Sequence, residues 1–361
     1  MLRLERRPLP SARMRLLAPL IAALLMFVTG FAVFALLGKD PLAACAVFFV
    51  KPLTSLYGLG ELLVKTAPLL LCAIGLAIGF RANVWNIGAE GQLTIGALAG
   101  TGVALAFGDT ESHWILPAML IAGVLGGMAW AAIPALLRTR FRTSEILTSL
   151  MLVYIAQMLL AYLVHGPWRD PDGFNFPQSR MFNDWELLPI LVDGTRINLG
   201  IVFALLLAGL SWLFTDKTHA GYRLQVAGLA PAAAAYAGFS EKRNVWLALL
   251  ISGATAGLAG IGEVAGPIGQ LQTTVSPGYG FAAIIVAFVG RLNAFGIVLA
   301  ALLMSLLYLG GEQAQIDLGL PSAITGLFQG LLLFYLLAMD AFVNYRLRRV
   351  VRAPAASGAA A

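Results

Sequence analysis

Four polar side chains, Asn83, Asn86, Glu90 and Gln92, stand close together in "ANVWNIGAEGQLTIGA", between two of the most apolar runs in the chain. Three amides and a carboxylate supply hydrogen-bond donors and acceptors, and Trp85 beside them, or Tyr279 further on, offers an aromatic ring face. A carboxylate at membrane depth is costly unless it faces protein or water. The segment therefore borders a hydrophilic path, braces the wall of one, or is a short solvated loop before a helix. Asn86 followed by Ile87, Gly88, Ala89 and Glu90 reads as a helix start, with an asparagine cap and an acid in the first turn. A second polar group, Glu263, Gln270 and Gln272, lies in "SGATAGLAGIGEVAGPIGQLQ". There Gly253 and Gly257, then Gly262 and Gly266, repeat at the four-residue spacing that lets membrane helices approach closely. These polar groups either line a pathway or belong to an ordinary interface.

No reaction centre accompanies them. His113, His165 and His219 are far apart and make no zinc spacing. None of the five lysines sits in a phosphate-binding Gly-x4-Gly-Lys-Ser/Thr run. The chain does not read as an enzyme, and no cofactor of its own is expected. If it uses ATP, another chain hydrolyses it.

The elements that must hold these groups are membrane helices. With 59% hydrophobic and 12% charged residues and a mean hydropathy of +0.83, the composition belongs in a bilayer, in contact with lipid. Hydropathy predicts an all-helical bundle of ten spans: Met14 to Leu37, Leu62 to Phe80, Val84 to Phe107, Trp114 to Leu137, Ile146 to Val164, Ile197 to Phe214, Val245 to Val264, Phe281 to Gly290, Ala294 to Leu309 and Ala323 to Met339. The eighth is too short for a straight crossing and reads as a broken half-helix or as starting near Val275. With the N-terminus inside, only Lys39, Lys51, Lys65, Arg169, Arg180 and Arg196 of the 24 basic residues fall outside. That asymmetry favours an even number of spans with both termini cytoplasmic. It also disposes of the net charge of +6 without a nucleic-acid partner, since the charge is scattered over helix ends. Cys45 and Cys72 read as small core residues. The segments Gly38 to Glu61 and His165 to Arg196 read as outer loops.

The expected organisation is one transmembrane domain over 1–343, with a basic cytoplasmic N-terminus at 1–13, a cytoplasmic loop at 215–243, and a basic, Ala-rich tail at 344–361. In the loop, Pro231 suits a first helical position and Gly238 the position just past a helix end. The prediction is one short helix, "PAAAAYAG", between bends at Gly228 and Gly238. A helix this short is marginal alone, so Ala234, Ala235 and Tyr236 are expected to dock on something.

Together these segments resemble the permease subunits of ABC importers for simple sugars, nucleosides and branched-chain amino acids. "NVWNIGAEGQLTIGA" is similar to that family's embedded segment after the second span, and "LRTRFRTSEILTSLMLVYIA" to its next turn and helix. "GYRLQVAGLAPAAAAYAGFSEKR" resembles its coupling-helix loop, and "PGYGFAAIIVAFVGRLNAFGIVLAALL" its closing spans. "NIGAEGQ" and "GEVAGPIGQLQ" resemble the nucleoside branch most. The resemblance implies a bacterial inner-membrane complex with a second permease, giving a heterodimer, a cytoplasmic ABC ATPase that holds ATP and Mg, and an extracytoplasmic binding protein. It implies that the coupling helix falls on Pro231 to Gly238 and the embedded polar segment on Asn83 to Gln92; with the polar groups above, the expected ATPase coupling site is Gly228, Pro231, Ala234, Ala235, Tyr236 and Gly238, and the expected substrate pathway Asn83, Trp85, Asn86, Glu90, Gln92, Glu263, Gln270 and Gln272. A ribose-like sugar and a branched-chain amino acid are the alternative substrates. An ion-coupled secondary transporter is the alternative mechanism.

Overall fold

The computed structural model describes residues 2–7, 11–108 and 110–349. They divide into two compact units, the described parts of 1–45 with 326–361, and Ala46–Thr325.

The first unit contains helix α1 (Ala12–Leu36), a short α2 (Pro41–Cys45) and most of α13 (Ala323–Asn344). Ser11 caps α1 by accepting from the Met14 N–H. Gly30 lies against the Phe328 ring, Phe34 packs on the same ring at 5.6 Å, and Thr29 shares a hydrogen bond with Tyr335 at 2.6 Å. Two strands, β1 (Leu2–Arg6) and β2 (Tyr345–Arg349), pair antiparallel. The helical bundle expected from the sequence thus carries one short strand pair in addition. Two alternating basic-apolar stretches satisfy each other's backbone, as short polar strands do. The rest of the expected tail, 350–361, lies outside the described residues.

The second unit holds α3 (Leu56–Arg81), α4 (Ala89–Phe107), α5 (Ile115–Phe141), α6 (Glu145–His165), α7 (Leu199–Lys217), α8 (His219–Leu229), α9 (Pro231–Tyr236), α10 (Glu241–Glu263), α11 (Tyr279–Val289) and α12 (Ala294–Leu318). Ser55, Asn198, Thr218, Ser240 and Asn293 cap helix starts with their side-chain oxygens. Among the described residues, eight helices are long and apolar enough to cross a membrane. Each expected span has a helix, but two fall short of that measure. The third, α4, carries Glu90 and Gln92 in its first turn, and the eighth, α11, has only 11 residues. Ten full spans are therefore not reached by length and composition. The expected outer loop from Gly38 to Glu61 is also partly helical, with α2, a π turn at Ala46–Val50, a 3-10 turn at Lys51–Leu53 and the start of α3. Cys45 and Cys72 are buried and free.

The centre of this unit is α10, packed against α3, α4 and α5. Lipid gives helices no hydrophobic reason to associate, so close van der Waals contact must hold them. A Cβ on Gly257 would stand 2.2 Å from the Gly123 carbonyl oxygen, and one on Gly260 1.9 Å from that of Leu93. The backbones thus touch directly. Of the glycines at the expected spacing, Gly253 and Gly257 meet Gly127 and Gly123 on α5, whereas Gly262 faces open space and Gly260 takes the α4 contact instead. Spacing identifies a close-packed helix but not which of its faces each neighbour occupies.

Candidate functional site

The embedded segment begins where α3 ends. The N–H groups of Ala82 and Val84 both bond the Gly79 carbonyl, and Asn83 adopts φ +54°, turning the chain back toward the bundle. From Val84 to Gly88 the backbone is not helical, and Val84, Asn86 and Gly88 are buried. Irregular backbone is tolerated at this depth when protein satisfies it. Here Ile87 N–H donates to the Ser149 hydroxyl, Trp85 N–H to the Glu145 carboxylate, and Gly88 N–H to Asn86 Oδ1.

Asn86 is accordingly not the helix cap that the sequence suggested. The cap position is Gly88, with no side-chain hydrogen bond. Asn86 instead folds its oxygen back in a local turn and spends its amide on Gln92 Oε1 and Ser252 Oγ, both at 2.8 Å. Gln92 returns a bond to Asn86 Oδ1 at 3.2 Å. Ser252 lies level with Gly75 of α3, six residues from Arg81. At 1.5 Å per residue that is about 9 Å inside the helix end.

Deeper still, Glu90 meets the start of α11. Its carboxylate accepts from the Gly280 N–H at 2.6 Å and is also hydrogen-bonded by the Ser276 side chain and the Gly278 backbone. The Ser276 hydroxyl in turn accepts from the Tyr279 N–H at 2.8 Å. A Cβ on Gly280 would strike the Glu90 nitrogen at 2.3 Å, so the two helix starts abut. From that junction the helices run apart. The end of α4 at Ala104 and Gly108 is held by Arg180, and the Leu292 carbonyl beyond α11 by Arg81. Two N-terminal dipoles converge on one buried carboxylate, the charge such ends favour.

The other expected pathway residues are distributed around this junction. Trp85 is half-buried, stacked with Phe288 (5.9 Å) and tilted against Phe80 (5.1 Å), and its Nε1–H donates to Asn83 Oδ1 at 3.0 Å. Glu263 is buried at the end of α10 and makes no hydrogen bond among the described residues. It shares a small cleft with Asn198, Pro68 and Pro267, and Lys65, Arg196 and Glu61 are the charges acting on it. Cys72 and Tyr279 lie within electrostatic reach of both Glu90 and Glu263. Gln270 and Gln272 are elsewhere. Gln270 donates to Gln178 at 3.1 Å, and Gln272 bridges the Gln178 backbone, tying both to the loop before α7. That loop is pinned by Arg180, bidentate to the buried Glu186. Ion pairs of Glu61 with Arg196, Lys65 with Glu312 and Lys51 with Asp317 fasten the same end of the bundle. The Glu61 carboxylate holds the Arg196 guanidinium above its ordinary pKa. Ser149, Ser252 and Ser276 escaped the sequence reading. For Ser149 and Ser252 the available signal was a small hydroxyl inside an apolar helix, which needs a partner; Ser276 lies in the non-helical stretch before α11.

The expected docking helix is present as α9, with Pro231 at its first position and Gly238 in the left-handed conformation at φ +78° just past its end. The N–H of Phe239 bonds the Ala234 carbonyl and that of Gly238 the Ala235 carbonyl, a Schellman closure. Ala234 is buried, whereas Ala235 and Tyr236 are exposed. The loop has a second helix that the sequence reading omitted, α8, and Gly228 is inside it. The bend lies at Ala230 instead, with φ −144° and ψ 75°. Gly228 is small for a different reason: a Cβ there would stand 2.1 Å from the Arg81 carbonyl oxygen. Leu224 of α8 packs into one cluster with Ala82, Val84 and Val245. The loop carrying α8 and α9 is thus seated on the turn that opens the embedded segment.

Comparison with known proteins follows this geometry. The family described as branched-chain amino acid transport system / permease component matches residues 58–337. A glucose ABC transporter permease protein of Haloferax volcanii is 37% identical over 91% of this chain and 88% of its own length. A guanosine ABC transporter permease protein of Bacillus subtilis is 31% identical over 92% and 97%, and a nucleoside ABC transporter permease protein of Lactococcus lactis 30% over 89% and 90%. In each of these organisms a second ABC transporter permease protein is also similar, over 53–70% of this chain.

Proposed function

The chain belongs to the branched-chain amino acid transport system / permease component family, and on that premise we propose that it forms the translocation path for a nucleoside or simple sugar in an ATP-driven importer. It is a multi-pass membrane protein and a transport component, with ATP hydrolysis on a separate subunit. The observation carrying the mechanism is the seat of the docking loop, with Gly228 on Arg81 and Leu224 beside Val84. A push on α9 by the ATPase has a packed route to the turn before Asn86 and so to the junction of α4 and α11. Glu263 faces the path in this reading, with Gln270 and Gln272 near its outer mouth, while Asn86, Glu90 and Gln92 brace its wall. The recurrence of two matching permeases in one organism supports a heterodimer. An extracytoplasmic binding protein delivers the substrate.

A neutral substrate fits the junction best. Helix N-termini in transporters commonly receive an anionic substrate group, but here Glu90 already occupies them, and the relatives carry glucose, guanosine or nucleosides by name. Uptake of labelled guanosine and glucose by cells producing the chain with its partner subunits tests this. Guanosine or glucose uptake is expected to persist under a protonophore when ATP is maintained, and Ala235→Arg should abolish it while the protein stays in the membrane. Ala235 is exposed on α9 and has no internal packing to lose, so only a docking contact can suffer. Wild-type uptake by Ala235→Arg, or collapse of uptake with the proton gradient alone, would contradict the proposal.

The orientation is proposed with it: inner membrane, both termini cytoplasmic, α8 and α9 inside and the loop 165–196 outside. In a background lacking Cys45 and Cys72, Asp172→Cys should react with an impermeant maleimide on intact cells and Ser240→Cys only after permeabilisation. The reverse pattern would invert the topology.

A further inference from the structure

At the Arg81 end of the second unit, a cleft of about 410 Å³ opens between the last turn of α5, the turn into α6 and the first turn of α10. Its walls are Arg138, Thr139, Arg142, Thr143, Glu241, Lys242 and Val245. Arg138 is engaged, to Glu145 at 2.5 Å and more distantly to Glu241 at 3.9 Å. Arg142 and Lys242 are different: both are exposed, and neither side chain makes a hydrogen bond or ion pair among the described residues. Thr143 presents a buried hydroxyl with no partner. The neighbouring cavity, which shares Arg138, Glu241 and Val245 with this cleft, is also lined by Asn244, which is 3% exposed and whose amide nitrogen and oxygen both lack partners among the described residues. Glu241 and Glu145 are the carboxylates at the rim, and Arg138 reaches both, so the cleft keeps a net positive charge. Around it Leu136, Phe141 and Leu147 turn exposed apolar side chains outward at the ends of two membrane helices. Cations, an unpaired hydroxyl and flanking hydrocarbon meet at headgroup depth.

We propose that this cleft holds the phosphate of an anionic phospholipid headgroup, with Arg142, Lys242 and Thr143 as its direct partners and the acyl chains lying along Leu136, Phe141 and Leu147. Basic pockets between membrane helices at such an interface bind acidic headgroups. Occupation would also fix the turn Arg142–Ser144, and with it the start of α6, whose Ser149 holds the embedded segment through Ile87.

Native mass spectrometry of the purified full chain with dioleoylphosphatidylglycerol and dioleoylphosphatidylcholine tests this. Each basic side chain near an acidic lipid is worth about a fivefold preference. Arg142→Gln with Lys242→Gln should therefore lower the preference for phosphatidylglycerol by about 25-fold, leaving the chain monodisperse because both side chains are exposed. Arg140→Gln, exposed nearby but outside the cleft wall, should leave the preference unchanged. An unchanged preference in the double variant would overturn the site, and an equal loss with Arg140→Gln would reduce it to general surface charge. Displacement of the lipid by excess inorganic phosphate would show a free-phosphate site and overturn the lipid assignment.

Discussion

Gly257→Val should cost the protein more stability than any surface change. The new Cβ would stand 2.2 Å from the Gly123 carbonyl oxygen and 3.0 Å from the Gly127 Cα, and both obstacles are backbone. No rotamer relieves such a clash, so α10 must part from α5. Overpacking of this kind costs about 1–3 kcal/mol and more where backbones meet. Gly262→Ala is the control on the same helix, because a Cβ there has nothing within 4 Å. The expected result is a large fall in the thermal midpoint in detergent and in the yield of monodisperse protein for Gly257→Val, with Gly262→Ala matching wild type. Equal behaviour of the two would refute the direct backbone contact.

Glu90→Ala should be nearly as damaging, for a chemical reason. It strips the acceptor from the buried Gly280 N–H and from the half-buried Ser276 hydroxyl, while the Gly278 N–H keeps the Ser276 Oγ at 3.1 Å. Each unsatisfied donor costs about 1–3 kcal/mol. Glu90→Gln keeps one carbonyl acceptor in the same place, so it should lose about 1 kcal/mol and retain uptake. The pair separates bracing from a direct contact with substrate. A Glu90→Gln variant of wild-type stability that fails to transport at every substrate concentration would make Glu90 a path residue and not a brace.

Much of this arrangement could be read from the chain, because its signals are local. Long apolar runs marked the helices, and Pro231 with Gly238 bounded α9 within two residues. The short eighth run gave α11 as a half-length helix. What escaped depends on partners distant in sequence. Asn86 looked like a cap because its neighbours suit one, but Ser252, 166 positions away, competes for its amide. Gly228 looked like a bend because glycine serves both bends and close contacts, and only Arg81 on another helix distinguishes them. The β1–β2 pairing joins the two ends of the chain, and no local pattern announces it. Glu90 was recognised as anomalous, yet its partner, the start of α11, could not be named from spacing alone.

The shortness of α11 has a consequence for permeation. Eleven residues cover about 16 Å, roughly half of the hydrocarbon thickness of about 30 Å. Helix α11 therefore covers about half of that depth, and the non-helical stretch around Ser276 to Gly278 leads into its start. On the proposed function, such a helix acts as a thin plug in the wall of the path, its start resting on one carboxylate. Lifting such a plug needs a displacement of a few residues' rise, whereas a full-length helix would have to leave the bilayer's whole thickness to let anything by.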